Sequence, residues 1–171
     1  MSGDPASISH LAGASLRSAE TLRTRARDLD AARSALDDWG GTVGTRHRRH
    51  AQALSQAGAG AADCLEDLGR RLQLYATDLA QTMAQIRQIE QAAERADLEV
   101  SGGVLVPRFG ITGEADAARA HERERAAEEL QARWRTALAL AERRNDHLRA
   151  ALAALDRELI RLTAMIEHRL P

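Results

Sequence analysis

Several kinds of residue are scarce or missing in this 171-residue sequence, and each absence excludes a class of structure. The single cysteine, Cys64, excludes an internal disulfide and a cysteine zinc cluster. Aromatic residues make up only 2% of the chain, so the core must consist of leucine, isoleucine and alanine, which favours closely packed helices. Lysine is absent, and arginine nearly balances the acidic residues, for a formal net charge of -1. We therefore expect no nucleic-acid partner.

Long apolar runs are also missing. No uninterrupted apolar stretch approaches the ~18 residues that would span a bilayer, so we expect no stable membrane insertion. The first residues, MSGDPASISH, lack the basic and apolar regions of a signal peptide. These features predict a soluble protein that is made in the cytoplasm and, if secreted, leaves without a cleaved signal. A hydrophobic content of 44% with 29% charged residues suits one folded domain.

The first predicted helix begins at Asp4 and Pro5, where aspartate can cap the free amides and proline sits where no donor is needed. Leucines recur every seven residues beside a row of alanines, which indicates one narrow apolar stripe. These positions are Leu22, Leu29 and Leu36, with Ala12, Ala19 and Ala26. We expect this helix to end near Asp38.

The tripeptide Trp39-Gly40-Gly41 follows, with Gly44 close behind. Glycines give the backbone the freedom that a sharp reversal needs, so we place a tight helix-helix corner at Trp39 to Thr45. The tryptophan either wedges between the two helix ends or is offered outward to a partner. The sequence alone leaves both open.

A second helix is predicted from about Thr45 to Leu98, because apolar residues step by four and three over about six heptads. This seam comprises Leu54, Gly58, Ala61, Leu65, Leu68, Leu72, Tyr75, Leu79, Thr82, Ile86, Ile89, Ala93 and Ala96. A packed, hairpin-like apolar loop is expected at Glu99 to Gly113. A third helix is expected from about Glu114 to His168, and Asn145 interrupts its leucine seam where a buried amide would fix the register.

Short connections favour antiparallel neighbours, so we expect an all-α, elongated antiparallel helical bundle. Its parts are a helical hairpin at 1-99, the loop at 100-113 and a long C-terminal helix at 114-171, all in one domain. The first helix is too short to cover the second completely. The uncovered tip should therefore self-associate or bind a protein partner. Its residues are Met83, Ile86, Ile89 and Phe109.

No combination of residues indicates catalysis. His47 and His50 share a helix face, yet no cysteine or carboxylate nearby completes a metal site, so we interpret them as solvated. The sequence has no nucleophile constellation, phosphate-binding loop or zinc-protease motif. We expect a non-enzymatic protein without a cofactor or metal.

A helical hairpin with Trp39 and Gly41 at its corner resembles the WXG superfamily, the substrates and partners of the type VII (ESX) secretion system of Gram-positive bacteria. The N-terminal secretion-signal domains of actinobacterial toxins are similar over nearly the whole chain. They open with a Gly-Asp-Pro helix start, as Gly3-Asp4-Pro5 does here, and pass through a Gly/Val/Pro loop into a helix like Trp134 to Leu155. The resemblance implies helix association with a second WXG-like protein or a toxin, with Trp39, Gly40 and Gly41 as the recognition motif.

Two departures from the family pattern shape this expectation. The family's export motif is a tyrosine followed four residues later by an acidic residue, whereas Tyr75 is followed there by Leu79 and Asp78 comes one residue early. Tyr75 and Asp78 thus form a degenerate export motif. We expect no effector domain after the helices, which would make the protein a partner or targeting adaptor. The alternative is a cytoplasmic coiled-coil scaffold or regulator, unrelated to secretion, in which the corner is only a turn.

Overall fold

The computed structural model describes residues 3–35, 38–108 and 117–167, without the side chains of 117–119. The elements are α1 (Pro5–Ser34), α2 (Gly41–Arg95), β1 (Leu98–Ser101), β2 (Val104–Pro107) and α3 (Ala117–Glu167). The predicted all-α class is confirmed, and a small β-hairpin occupies the segment where the sequence predicted a hairpin-like loop. None of the described helices is apolar enough over a sufficient length to cross a membrane.

The start of α1 lies where the sequence placed it. The Asp4 carboxylate accepts from the amides of Ala6 at 3.2 Å and Ser7 at 3.0 Å, and Pro5 opens the helix. Hydrogen bonds from the Ser7 hydroxyl and from these amides hold the pKa of Asp4 below its usual value. These contacts satisfy donors that the first turn would otherwise leave free.

Both helix ends at the corner differ from the prediction. α1 ends at Ser34 rather than near Asp38, and α2 begins at Gly41 rather than about Thr45. At the start of α2, Gly41 adopts a φ of +84°, which is accessible to glycine without strain. Gly44 is accordingly part of the helix instead of the turn.

The chain divides into two compact units, and α2 and α3 contribute to both. Unit 1 comprises Met1–Ala76 with Asp146–Pro171, and unit 2 comprises Thr77–Asn145. Unit 1 contains all of α1 and the corner, whereas unit 2 contains the hairpin.

In unit 1, α1 and α3 pack against α2 through small residues. The Cα of Gly58 faces Ala26 of α1, and that of Gly60 faces Leu162 of α3. Two residues along an α-helix differ by roughly 200° in direction, so α1 and α3 lie on nearly opposite sides of α2. Ser55 reinforces the α1 contact, since its hydroxyl donates to the carbonyl of Ala26 at 3.0 Å.

Among the described residues of unit 1, those that are fully buried are mostly alanines, and two are leucines, Leu72 and Leu162. Leu54, Leu65 and Leu68 of the predicted seam are only half-buried. In this part of α2 the seam prediction was therefore wrong about which residues are covered most completely. Because alanine and glycine permit close backbone approach, the helices pack against one another through these small residues rather than through the leucines.

A charged edge runs beside the contact between α1 and α2. Arg23 pairs with Glu66 at 2.5 Å and with Asp63 at 3.0 Å. Hydrogen bonding from Arg23 lowers the pKa of Glu66. The pairing order agrees with antiparallel helices, because Gly69 of α2 lies against Ala12 and Leu16 while Gly58 lies against Ala26.

Unit 2 is built around the hairpin. β1 and β2 pair antiparallel, with Ser101 opposite Val104, and Gly102 and Gly103 form the turn with φ of +58° and +82°. Two consecutive positive φ angles are typical of a type I′ turn, whose twist suits a two-residue hairpin. Leu98 and Leu105 of the hairpin pack with Ile89 and Ala93 of α2 and with Leu130 of α3 in one buried core.

Two glycines of α2 that face α1 give a matched test of this packing. A Cβ at Gly58 would meet Ala26 at 3.5 Å, an ordinary contact, whereas one at Gly69 would lie 2.7 Å from Leu16 and 3.0 Å from the carbonyl of Ala12. Alanine gains about 1 kcal/mol over glycine in a helix interior. We therefore expect Gly58→Ala to raise the free energy of unfolding by up to ~1 kcal/mol. Gly69→Ala should lower it by about 1 kcal/mol or more, because overpacking outweighs propensity.

Chemical denaturation of both variants, followed by circular dichroism, measures these changes. Equal stabilisation by the two substitutions would contradict the close approach of α1 to Gly69.

Candidate interaction surfaces

The corner holds Trp39 outward. Its side chain is 57% exposed, and its ring lies 6.2 Å from that of His47 at a tilt of 55°. The carbonyl of Trp39 accepts from Arg48 Nη1 at 2.6 Å. The alternative that the sequence left open, a tryptophan wedged between helix ends, is therefore wrong, since the ring is available for contact.

The glycines of the corner have different roles. Gly41 supplies the positive φ, whereas a Cβ at Gly44 would lie 2.2 Å from the carbonyl oxygen of Trp39. Gly40 has open space around the position of a Cβ. The spacing W-x-G thus has a local physical reason, and Gly44 is a required residue that the sequence analysis had assigned only to turn flexibility.

A basic segment begins α2 beside the tryptophan. An open groove there is lined by Gly41, Thr42, Thr45, Arg46, Arg49 and Gln52. Neither Arg46 nor Arg49 forms an ion pair within the described ranges 3–35, 38–108 and 117–167. Because α2 begins at Gly41, both arginines lie beyond its first turn, where the helix dipole has little effect on them.

The two residues of the degenerate export motif lie in different units. Tyr75 is half-buried in unit 1. Asp78 belongs to unit 2, where its carboxylate pairs with Arg144 of α3, Nη2 to Oδ1 at 3.0 Å. The assignment of Tyr75 and Asp78 to export stays a prediction, and the structure adds an interhelix ion pair at Asp78.

The Asp78 contact extends into a polar network around Thr82, which is buried. The Thr82 hydroxyl donates to the carbonyl of Asp78 at 2.9 Å and accepts from Arg144 Nη1 at 3.3 Å. The hydroxyl therefore has a donor and an acceptor, as a buried polar group requires. Sequence reasoning placed Thr82 on the seam but missed its partner, because Arg144 is separated from it by 62 positions.

The hairpin covers one residue of the predicted tip, Ile89. Ile89 is buried in the core of unit 2, so its side chain is not accessible in this chain, contrary to the expected tip surface. Met83 and Ile86 are half-buried. Phe109 lies outside the described residues. Partner binding by the remaining tip residues stays a prediction.

One glutamine fastens the hairpin to α3. The amide of Leu105 donates to Gln131 Oε1 at 2.8 Å, and Gln131 Nε2 donates to the carbonyl of Gly103 at 3.4 Å. Gln131 thus occupies hydrogen-bonding groups on the outer edge of β2, which would otherwise be an unpaired strand edge. The periodicity gave no sign of this role, since Gln131 is one of many polar residues on α3.

Asn145 and Cys64, the remaining candidate residues, make no described contact that indicates a function. Asn145 is half-buried, and its register-setting role stays a prediction. Cys64 is buried, and desolvation raises the pKa of its thiol, which keeps it protonated at neutral pH. Over the part of the chain that the structure describes, no group of three or more His, Cys, Asp or Glu side chains is placed to hold a metal ion.

Comparisons of the chain with protein-family models, with curated proteins and with solved structures gave no match. The surfaces of the chain described above therefore carry the proposal for its function.

The Gln131 contacts generate a test of unit 2. Gln131→Leu removes both bonds and leaves the Leu105 amide without its acceptor, which should cost about 1–3 kcal/mol of unfolding free energy. The loss should appear as faster amide hydrogen exchange in β1 and β2. Gln88→Leu is the matched control, because Gln88 is an exposed glutamine of α2 in the same unit. Unchanged exchange at Leu105 in the Gln131 variant would contradict the proposed attachment.

Proposed function

We propose that the protein is a non-enzymatic helical substrate, partner or targeting adaptor of a type VII secretion system and acts through helix association. The observation that carries this proposal is Trp39, exposed at a corner whose backbone depends on Gly41 and Gly44. Large exposed aromatic side chains contribute strongly to protein interfaces. A tryptophan held outward by a glycine-dependent turn fits recognition better than core packing.

The chemistry around Trp39 supports a protein partner with acidic and apolar residues. Val43 is exposed on the first turn of α2, and Arg46 and Arg49 line the adjoining groove. Arginines that form no ion pair in the described chain contribute little to folding, which favours a role in binding. Their guanidinium groups suit carboxylates of a partner, while Trp39 and Val43 supply apolar contact.

The state of Asp78 favours the partner or adaptor form of the proposal. Its carboxylate is bound by Arg144, and it stands one residue before the position of the family's acidic export residue. A carboxylate already paired within the chain is less available to an export receptor. A partner that carries the complete export motif would supply that signal instead.

Replacement of Trp39 separates recognition from folding. Because the side chain is mostly solvent-exposed, Trp39→Ala should change the free energy of unfolding by no more than about 0.5 kcal/mol. The same variant should lose partner binding and export. Thermal unfolding measures the first effect. Leu74→Ala, which truncates another exposed apolar residue of unit 1, is the control that should keep both binding and export. A large loss of stability in Trp39→Ala would contradict an outward-facing role.

The secretion hypothesis itself is tested in an actinobacterial host that carries a type VII system. Culture supernatants of strains with and without the secretion ATPase are compared for the protein, for its Trp39→Ala variant and for co-exported partners. We expect ATPase-dependent export of the protein or of a partner that requires it. Two results together would show that the proposal is wrong: the location of the protein does not depend on the ATPase, and no other exported protein requires this chain for its export. The scaffold interpretation would then replace it.

A further inference from the structure

The β-hairpin of unit 2 has two outer edges, and the described residues occupy only one of them. On β2, the Gln131 carboxamide accepts from the Leu105 amide at 2.8 Å and donates to the Gly103 carbonyl at 3.4 Å. A carboxamide has the same kinds of donor and acceptor as a backbone amide, so Gln131 takes the place of a neighbouring strand. Among the described residues, no side chain does the same for β1.

The pairing register determines which backbone groups of β1 point away from β2. In an antiparallel ladder, pairs that exchange hydrogen bonds alternate with pairs whose amides and carbonyls point outward. The two-residue turn makes Ser101 and Val104 the first hydrogen-bonded pair, so Val100 and Leu105 are the next, outward-pointing pair. The Leu105 amide agrees with this assignment, because its acceptor is Gln131 and not β1.

The main chain of Val100 is consequently an open strand edge. Val100 is 41% exposed, and no described residue bonds to its outward amide and carbonyl. Leu98 has the same orientation in the ladder, but it is fully buried and therefore inaccessible to a partner. Leu98 and Leu105 hold the hairpin against the core, so the edge is fixed in position. An unpaired edge of this kind is a template for a further strand.

We propose that the edge of β1 at Val100 binds a short extended segment of a partner protein, which adds a third, antiparallel strand to the hairpin. The residue of the segment opposite Val100 donates to the Val100 carbonyl and accepts from the Val100 amide. A second copy of this chain is a poorer occupant, because a four-residue strand buries far less than the ~800 Å² per partner of a stable interface of standard size.

The side chains of β1 specify the composition of the segment. Glu99 and Ser101 alternate with Val100 along the strand and are exposed. Glu99 forms no ion pair within the described parts of the chain, so a basic residue opposite it adds a cross-strand charge pair. Val100 favours a β-branched residue opposite its own side chain. This site goes beyond the proposed secretion function and does not rest on it.

The full chain, labelled with ¹⁵N, tests the inference by titration with the peptide acetyl-Val-Thr-Val-Arg-Val-amide, whose arginine would face Glu99. We expect the Val100 amide to shift and to become protected from hydrogen exchange, with a Kd on the order of 0.1 to 1 mM for so few hydrogen bonds. The same peptide with glutamate in place of arginine should bind more weakly. No response of the Val100 amide up to about 5 mM peptide would overturn the inference.

Val100→Pro removes the outward donor without removing a ladder hydrogen bond, which is the position where an edge strand tolerates proline. It should weaken peptide binding at least roughly tenfold. Val100→Thr is the matched control, since it keeps the amide and should bind as the wild type does. Protection of the Leu105 amide verifies that each variant keeps the hairpin.

A peptide methylated on the nitrogen of its central valine examines the same site without altering the protein. This peptide lacks the donor for the Val100 carbonyl and should not bind. Binding that survives both the methylation and Val100→Pro, or resonance changes confined to the helices, would contradict strand addition. Because the purified chain and a synthetic peptide are measured, either result is independent of the secretion test.

Discussion

Contact between small residues of α2 and its two neighbouring helices is the constraint on which unit 1 depends. Gly58, Gly60 and Gly69 leave room for Ala26, Leu162 and Ala12, and these approaches fix which sides of α2 are occupied. Between α1 and α3, Leu54, Leu65 and Leu68 are covered only in part, whereas Leu72 is buried. Close backbone packing and full leucine burial are therefore in competition within this unit, and close packing has determined the arrangement.

In unit 2 a β-hairpin, rather than a third helix, covers apolar residues of α2 and α3. The described residues of unit 2 include parts of only two helices, α2 and α3, and an isolated two-helix pair leaves much apolar surface exposed. The hairpin contributes Leu98 and Leu105 to the core, and Gln131 attaches it to α3. An element of eight strand residues and a two-glycine turn thus covers Ile89, which a third helix would otherwise have to cover.

Much of this organisation was readable in the sequence. The Asp4-Pro5 start, the corner at Trp39 and the hairpin at Gly102-Gly103 depend on local chemistry, in which capping and positive φ angles select particular residues. The direction of each helix face was less predictable. Leu54 and Ala57 are equally compatible with a seam, and the choice depends on how closely a distant helix can approach. The partners of Thr82 and Gln131 were hidden for the same reason, since hydrogen bonds across 62 and 26 positions leave no periodic signal.

The candidate site shows the same limit. The tripeptide at the corner predicted the position of the turn. It did not predict the direction of the tryptophan side chain, because the contact between the backbone of Trp39 and Gly44 is not visible in the residue spacing. Arg46 and Arg49 were visible in the sequence, but the absence of ion pairs to these two residues within the described chain emerges only when the neighbouring carboxylates are placed. The surface chemistry of this corner therefore depends on tertiary contacts that the sequence does not show.

The division of the chain also has a consequence for the order of folding. Unit 2 is one continuous segment, Thr77–Asn145, whereas unit 1 joins Met1–Ala76 to Asp146–Pro171 at the other end of the sequence. During synthesis, all residues of unit 2 emerge before the last part of α3, so its hairpin contacts are the first complete set available. Closure of unit 1 must wait for the C-terminal segment and carries the larger loop entropy. Until that segment arrives, one side of α2 stays open, and the nascent chain exposes the alanine and glycine positions that α3 later covers.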